Sequence, residues 1–175
     1  MRARITFSKT GPLRYIGHLD LQTLWERAAR RAGLPLAYSH GFHPQPRITF
    51  AAALPLGFSS RAEVMDIRLL SDVRPEDLPG LLQPALPAGI SVLDVQQVEE
   101  SEPALQTRVR SAEYEATLID APDEAALRSG VQRLLQAESL PRLRREKAYD
   151  LRPLIEELTL LPPPETGTGP LRLFM

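Results

Sequence analysis

The chain has three histidines, and all of them lie within its first 43 residues. His18 precedes a helix-like segment, while His40 and His43 lie in the segment YSHGFHPQPRITF, residues 38–50. An imidazole titrates near neutral pH and is also a common metal ligand. The pattern therefore leaves three interpretations open: a metal site, an acid–base site, or a loop that packs well.

The metal interpretation has weak support from the spacing. A His-x-x-His pair in a proline-rich loop is a poor zinc or iron signal, since metal-binding helices space their histidines by four residues. Convergence of His18, His40 and His43 would have to span a helix over residues 18–34, about 25 Å long at 1.5 Å per residue. We therefore predict no metal or other cofactor and keep these three histidines as an alternative ligand set.

An acid–base site is the second interpretation. His18 lies near Lys9, Arg14 and Tyr15 in the sequence, and a histidine beside cations suits general acid–base work on a phosphodiester. The competing interpretation is that His18 caps the following helix or packs against it. We predict no catalytic residues, with His18, Lys9 and Tyr15 as the alternative set.

Cysteine is absent from all 175 residues. This excludes disulfides, thiolate nucleophiles, cysteine-ligated zinc and iron–sulfur ligation by these residues. The chain also has no apolar run of 18 residues or more, and its first residues lack the apolar region of a signal peptide. We expect a cytoplasmic protein that does not interact with a membrane.

Basic residues are concentrated at the N-terminal end. Residues 1–61 contain nine basic and two acidic side chains, whereas residues 62–138 contain six basic and fifteen acidic ones. Such a basic third favours an anionic partner. Alternatively, the acidic middle lies against the basic third, or both are solvated surfaces.

The densest basic cluster is on the first predicted helix. Arg27, Arg30 and Arg31 fall on the side opposite its apolar stripe, because steps of three and four residues share a face. Guanidinium groups suit phosphate oxygens, and aromatic rings stack on unpaired bases. We predict that RNA or another anionic substrate contacts this helix and the following loop, through Arg14, His18, Asp20, Arg27, Arg30, Arg31, Tyr38, Ser39, His40, Gly41, Phe42, His43 and Arg47.

The elements that position these residues follow the order β-α-β-β-α-β over residues 1–103, which predicts an α+β fold of the ferredoxin-like type. Trp25, Phe7 and Phe50 are expected to anchor the binding cleft to the core. Over residues 104–175 a strand, an amphipathic helix capped by Asp120 or Asp123, and further strands predict a second, incomplete ferredoxin-like unit. Residues 162–169, PPPETGTG, are expected to form a turn or connector.

Four sequence blocks resemble the radical-SAM-linked proteins, a bacterial family of unknown function. They are GHLDL at residues 17–21, RAARRAGLP at 27–35, YSHGFHPQP at 38–46 and LPLGFSSRAE at 54–63, and RREKAYDLRPLI at 144–155 resembles a weaker block. The resemblance implies a domain found alone or joined to the C-terminal side of a radical SAM enzyme, often one with a cobalamin-binding region. It also leads us to expect further residues after Met175.

The resemblance implies a function as well as a family. Neighbouring genes of the family often suggest ribosome or RNA metabolism, so tRNA or rRNA is an expected partner. Because radical SAM chemistry needs a cysteine-ligated cluster, the chain would be a non-catalytic companion of a radical SAM enzyme. The alternative function is a metal-independent endoribonuclease resembling CRISPR repeat-processing enzymes, which also use tandem ferredoxin-like units.

Overall fold

The computed structural model describes residues 1–119, 123–161 and 170–175. The chain divides into two compact units, residues 1–110 and 111–175. The sequence analysis divides the chain after residue 103 instead. The segment between these boundaries includes the 3-10 turn Leu105–Arg108. Its Leu105 is buried, and the turn contacts the strand Ile48–Phe50 of the first unit.

The first unit has the predicted element order β-α-β-β-α-β, and the α+β class is confirmed. Its elements are β1 (Arg2–Lys9), α1 (His18–Arg31), β2 (Ile48–Phe50), β3 (Ser60–Arg68), α2 (Leu78–Leu82) and β4 (Ile90–Val98). The strands form one antiparallel sheet in the order β2-β3-β1-β4. The first strand is therefore central, and β2 lies at an edge of the sheet.

Strand β1 alternates as its sequence predicts. Ala3, Ile5 and Phe7 are fully buried on one face, and Arg4 on the other face lies opposite Asp66 of β3. Successive side chains of a strand point to opposite faces, so one strand supplies both the apolar core and a polar layer.

Helix α1 covers the apolar face with Leu21, Trp25, Ala28 and Ala29, all buried. The rings of Phe7 and Trp25 meet edge to face with centroids 4.9 Å apart, and those of Phe7 and Phe50 are 6.2 Å apart. Trp25, Phe7 and Phe50 thus form the aromatic centre of the core, as the sequence predicts. Edge-to-face pairs of this kind add about 0.5–1.5 kcal/mol beyond the area they bury.

The ends of α1 differ from the sequence-based estimate. Gly17 is the N-cap and His18 is the first helical residue, so the interpretation of His18 as a cap is wrong. The helix ends at Arg31, and Gly33 follows with a φ of 69°, a conformation that glycine adopts without strain. At 14 residues the helix is about 21 Å long.

Helix α2 is short, as its prolines predict, and it is extended by the 3-10 turns Pro75–Asp77 and Gln83–Ala85. Its Leu78 and Leu82 are fully buried. Gly89, just before β4, has a φ of 98°, and a Cβ there would lie 2.7 Å from the carbonyl oxygen of Thr10. The close approach of these two chain segments therefore requires glycine.

The second unit contains β5 (Glu115–Thr117), α3 (Glu124–Gln136), β6 (Pro141–Arg144), β7 (Lys147–Asp150), β8 (Thr159–Leu161) and β9 (Arg172–Phe174). Strands β5, β9 and β8 form one antiparallel sheet, while β6 and β7 pair with each other. This arrangement differs from the expected second ferredoxin-like unit, because the C-terminal strand β9 rather than the first strand β5 is central, and β6 and β7 pair apart from that sheet.

Asp123 caps α3, as one of the two predictions states, by accepting a hydrogen bond from the backbone N–H of Ala125 at 3.0 Å. The other predicted cap, Asp120, lies outside the described residues, as does the predicted connector at residues 162–169. In the described parts of the chain, no helix is both long enough and apolar enough to cross a bilayer.

Candidate functional site

The loop at residues 38–46 is an excursion from the sheet edge, closed by backbone hydrogen bonds. The N–H of Arg47 donates to the carbonyl of Ala37 at 2.8 Å, and Arg68 of β3 bonds to both of these residues. Within the loop, the N–H of Ser39 donates to the carbonyl of Gln45 at 2.8 Å, and the Ser39 hydroxyl accepts from the N–H of Gln45 at 2.9 Å. The loop therefore has a fixed base.

The tip of this loop, residues 40–44, is exposed throughout. The Phe42 ring is fully exposed, and Gly41 has a φ of 127°, which only glycine adopts readily. The imidazoles of His40 and His43 form no hydrogen bond with the described residues, and both side chains are exposed. A fully exposed aromatic ring between two exposed imidazoles is suited to contact a partner.

Arg30 joins the loop to α1. Its Nε and Nη2 donate to the Tyr38 hydroxyl at 3.1 and 2.9 Å, and its guanidinium lies 5.8 Å from the ring centroid. Glu26, one turn earlier, accepts an ion pair from the same guanidinium at 2.7 Å. The hydrogen bond with Tyr38 and the charge of Glu26 raise the pKa of Arg30 above its ordinary value.

The other two arginines of α1 are also exposed, as predicted. The Arg31 side chain donates to the carbonyl of Ala85 at 2.7 Å, whereas the Arg27 side chain has no hydrogen bond or ion pair with any described residue. The Arg47 side chain, at the end of the loop, is exposed and similarly without such a partner in the described ranges. Arg27 and Arg47 are therefore the members of the predicted set whose charges no internal contact uses.

Arg14 and Tyr15 form a separate exposed pair before α1. The Arg14 guanidinium lies 4.7 Å from the centroid of the Tyr15 ring and donates to its hydroxyl at 2.7 Å. The carbonyl of Arg14 accepts a hydrogen bond from Gly57 at 2.7 Å, which fixes the LPLG loop beside this turn. Asp20 is exposed in the first turn of α1, where a carboxylate stabilises the helix dipole.

His18 lines a cleft of about 380 Å³ between the start of α1 and the edge strand β2. Its ring packs edge to face on Phe50, with centroids 5.2 Å apart, and its Nδ1 is buried without a hydrogen-bond partner among the described residues. Gln22, Thr49 and Gln106 add polar groups to the lining. An unsatisfied buried nitrogen is costly, so it marks a position where a ligand would gain a hydrogen bond.

The expected cleft had residues 38–50 as one wall and the arginine-rich face of α1 as the other. Of that segment, Ile48, Thr49 and Phe50 line this cleft, whereas residues 38–47 and the arginines of α1 do not. Sequence analysis missed Gln22, although it lies one helical turn after His18 and on the same side of α1. It also missed Gln106, which lies far along the sequence and has no motif around it.

Lys9 does not belong to an exposed site. It is 1% exposed, on the core face of β1, and its ammonium group donates to the carbonyl of Ile16 at 3.2 Å. Burial lowers its pKa, against a smaller opposing effect of the Glu63 charge. The structure therefore does not bring Lys9, Tyr15 and His18 together as an exposed acid–base set.

The three histidines do not converge either. Tyr38, at the base of the loop, is held by Arg30, which is about 18 Å along α1 from His18 at 1.5 Å per residue. The described residues contain no group of three or more histidines, aspartates or glutamates that could hold a metal ion. Among these described residues, His18, His40 and His43 do not form such a group.

A family model matches residues 2–172, nearly the whole chain, and its description is "Uncharacterized protein conserved in bacteria (DUF2344)". The chain belongs to this family. No curated protein matches the chain.

Proposed function

We propose that this member of an uncharacterized bacterial family is a non-catalytic module that binds RNA and serves a radical SAM enzyme. RNA would contact the exposed arginines of α1 and the 38–46 loop. The observation that carries the proposal is the Arg30–Tyr38 contact, because it joins a basic helix face to a loop with a fully exposed phenylalanine.

This surface combines the two chemistries that unpaired RNA requires. Guanidinium groups contact phosphate oxygens, and exposed aromatic rings stack on bases, each stacked base contributing about 1–3 kcal/mol. Arg27 and Arg47 supply unused charges, while Phe42 supplies an unused ring. Because hydrogen bonds fix the base of the loop before RNA binds, holding the ring in place costs less conformational entropy on binding.

The His18 cleft supports a further contact in the same module. Its buried Nδ1 lacks a partner among the described residues, and the amides of Gln22 and Gln106 offer both donors and acceptors. These groups suit the edge of one unpaired base. The cleft would then place a base at the opposite end of α1 from the loop.

The radical SAM partner is supported by the sequence resemblance and by the absence of cysteine from these 175 residues. An iron–sulfur cluster of that chemistry needs cysteine ligands and so would be held outside these residues. In this arrangement the module presents RNA and the partner performs the reaction.

The test is binding of fluorescently labelled tRNA and structured rRNA fragments at several salt concentrations. We compare the wild type with an Arg27→Ala/Arg30→Ala/Arg31→Ala variant and with Phe42→Ala. Affinity falls as salt rises, and removing three phosphate contacts makes the slope of log affinity against log salt shallower by about two. Phe42→Ala weakens binding without changing that slope, because stacking releases no counterions.

A matched control removes three arginines elsewhere: Arg74→Ala/Arg128→Ala/Arg133→Ala. The control has the same net charge as the α1 variant, so equal effects of the two would show unspecific attraction and contradict the proposed surface. The absence of RNA binding by the wild type at low salt would contradict it as well. Capture of a radical SAM enzyme by the tagged protein tests the partner separately.

A further inference from the structure

Strands β6 and β7 form a two-stranded ribbon in the second unit that pairs with no other described strand. Seven of its eight strand residues are exposed, and the eighth, Asp150, is half-buried at the base. A ribbon of this kind has no role in the apolar core. Its side chains are available for contacts outside the chain.

The two faces of the ribbon differ in charge. Register pairs Arg142 with Tyr149 and Arg144 with Lys147, and alternation places all four side chains on one face. The opposite face carries Pro141, Leu143, Ala148 and Asp150. The first face therefore presents three cations and one aromatic ring in a compact square.

This basic face has no internal counter-charge in the described part of the chain. The side chains of Arg144 and Lys147 form no hydrogen bond or ion pair there, and the Arg142 guanidinium donates only to the carbonyl of Pro141 at 3.0 Å. The Asp150 carboxylate is used at the base, where it accepts from the N–H groups of Leu140 and Arg152 at 2.7 and 2.9 Å. These two backbone hydrogen bonds lower the pKa of Asp150.

The base of the ribbon is anchored in the second unit. The N–H of Leu151 donates to the carbonyl of Leu140 at 2.9 Å, and the Arg152 guanidinium donates to the carbonyls of Leu135 and Ile155. Leu135 belongs to the last turn of α3, so the ribbon is tied to the end of that helix. The ribbon thus presents its cations from a fixed support.

Two features of the ribbon work against its own stability. Arg144 and Lys147 are like charges directly opposite each other, an arrangement that destabilises an antiparallel pair. The turn residues Arg145 and Glu146 have φ values of 50° and 65°, where glycine or asparagine is normally found. No internal contact of Arg144 or Lys147 within the described residues offsets their mutual repulsion, whereas a bound polyanion would neutralise both charges.

We propose that the basic face of this ribbon, formed by Arg142, Arg144, Lys147 and Tyr149, is a second nucleic-acid contact that binds the phosphate backbone of structured RNA. The inference extends the proposed RNA binding to a surface on the other unit. Cations on a two-stranded ribbon can follow a phosphate backbone, and Tyr149 offers a ring for stacking.

The test uses the full chain and the same labelled rRNA fragments. An Arg142→Ala/Arg144→Ala/Lys147→Ala variant is compared with the Arg74→Ala/Arg128→Ala/Arg133→Ala control, which loses the same charge. We expect the ribbon variant to lose about tenfold or more in affinity, and its salt slope to become shallower by about two, at a melting temperature no lower than that of the wild type. An Arg142→Lys/Arg144→Lys variant should stay within about threefold of wild type, because backbone contacts mainly need charge.

Equal affinities of the ribbon variant and the control would overturn the inference, and so would a failure of the lysine variant to retain binding. Binding of the wild type and the ribbon variant to vesicles of anionic lipid is measured as well. If the ribbon variant loses vesicle binding but keeps RNA binding, the inference is overturned and the face is assigned to a membrane. The α1 variant is titrated in parallel. A loss confined to the ribbon variant removes the proposed α1 and loop surface only, and a loss confined to the α1 variant removes the ribbon only.

Discussion

Two groups of basic residues in the N-terminal third have opposite surroundings. Arg2 and Lys9 are buried, and Arg4 is largely so, whereas Arg27 and Arg47 are exposed and have no internal partner among the described residues. Counted from the sequence, each residue of either group adds one positive charge to the excess over residues 1–61. The structure shows that the first group maintains the fold, so only the exposed arginines, of which Arg27 and Arg47 are the least engaged, are available to a ligand.

The buried group is organised by Asp66. Its carboxylate accepts from Arg2 at 2.7 Å and from Arg4 at 2.9 Å, and its side chain is 5% exposed. Arg2 also donates to the carbonyls of Glu102 and Pro103, which ties the segment after β4 to the sheet. The bond with Asp66 raises the pKa of Arg4. These guanidinium groups are structural, and a phosphate could not reach them.

The largest predicted effect tests the buried group. Asp66→Asn keeps the shape of the side chain but leaves the buried Arg2 without its counter-charge and Arg4 with only its longer ion pair to Glu102. We expect a loss of about 3–5 kcal/mol in the free energy of unfolding, the usual cost of removing one partner of a buried ion pair. Denaturant unfolding followed by circular dichroism measures it.

Asp77→Asn is the matched control, because Asp77 pairs with Arg74 on the surface at 2.8 Å. Its loss should be far smaller than that of Asp66→Asn, since solvent screens exposed pairs. Equal losses in the two variants would remove the distinction between structural and available arginines.

The next effect concerns the turn of the ribbon in the second unit, which connects the strands that carry its exposed cations. Arg145→Asn with Glu146→Gly places favoured residues at the two positive-φ positions. We expect the free energy of unfolding to rise by about 1–2 kcal/mol, the cost of a left-handed backbone at a residue other than glycine. Arg142→Asn, within the strand, serves as control and should give no gain. Unchanged stability of the double variant would show that the turn carries no strain.

A smaller effect depends on pH and tests Lys9. Burial holds its pKa below the ordinary value of 10.5, so the unfolded chain binds more protons than the folded one between the two pKa values. The stability of the wild type therefore rises with pH through that window, and a Lys9→Met variant lacks this contribution. The stability of Lys9→Met relative to wild type should be greatest at neutral pH and fall toward pH 10.5. A difference that does not change with pH would show that Lys9 titrates normally.

The smallest effect on stability is expected for the exposed group. Arg27→Ala removes no internal hydrogen bond or ion pair of the described chain, so the melting temperature should not change while RNA affinity falls. Differential scanning fluorimetry and the binding titration are run on the same preparation. A clear drop in melting temperature would place Arg27 with the structural arginines.

The order of elements in the first unit was predictable because its signals are local. The alternation of Ile5 and Phe7 and the spacing of Leu21 and Trp25 each lie within one element, and Gly33 ends the helix by its own conformation. The exposure of Arg27, Arg30 and Arg31 followed from the same periodicity.

The features that sequence analysis missed depend on contacts between distant residues. Lys9 is an exception, because the same local alternation that buries Ile5 and Phe7 places it on the core face, and sequence analysis did not extend the alternation to it. The pairing of β5 with β9 and the contribution of Gln106 to the His18 cleft join residues far apart in the chain. Local propensity carries no information on such pairings.

Ultraviolet crosslinking of the wild-type protein to labelled structured RNA, followed by mass spectrometry of the peptides, tests the central claim most directly. It asks which side chains contact bases without changing any residue. The account predicts crosslinks in the peptide that contains Tyr38 and Phe42. Bound RNA that crosslinks at other peptides but never within residues 38–47 would contradict it.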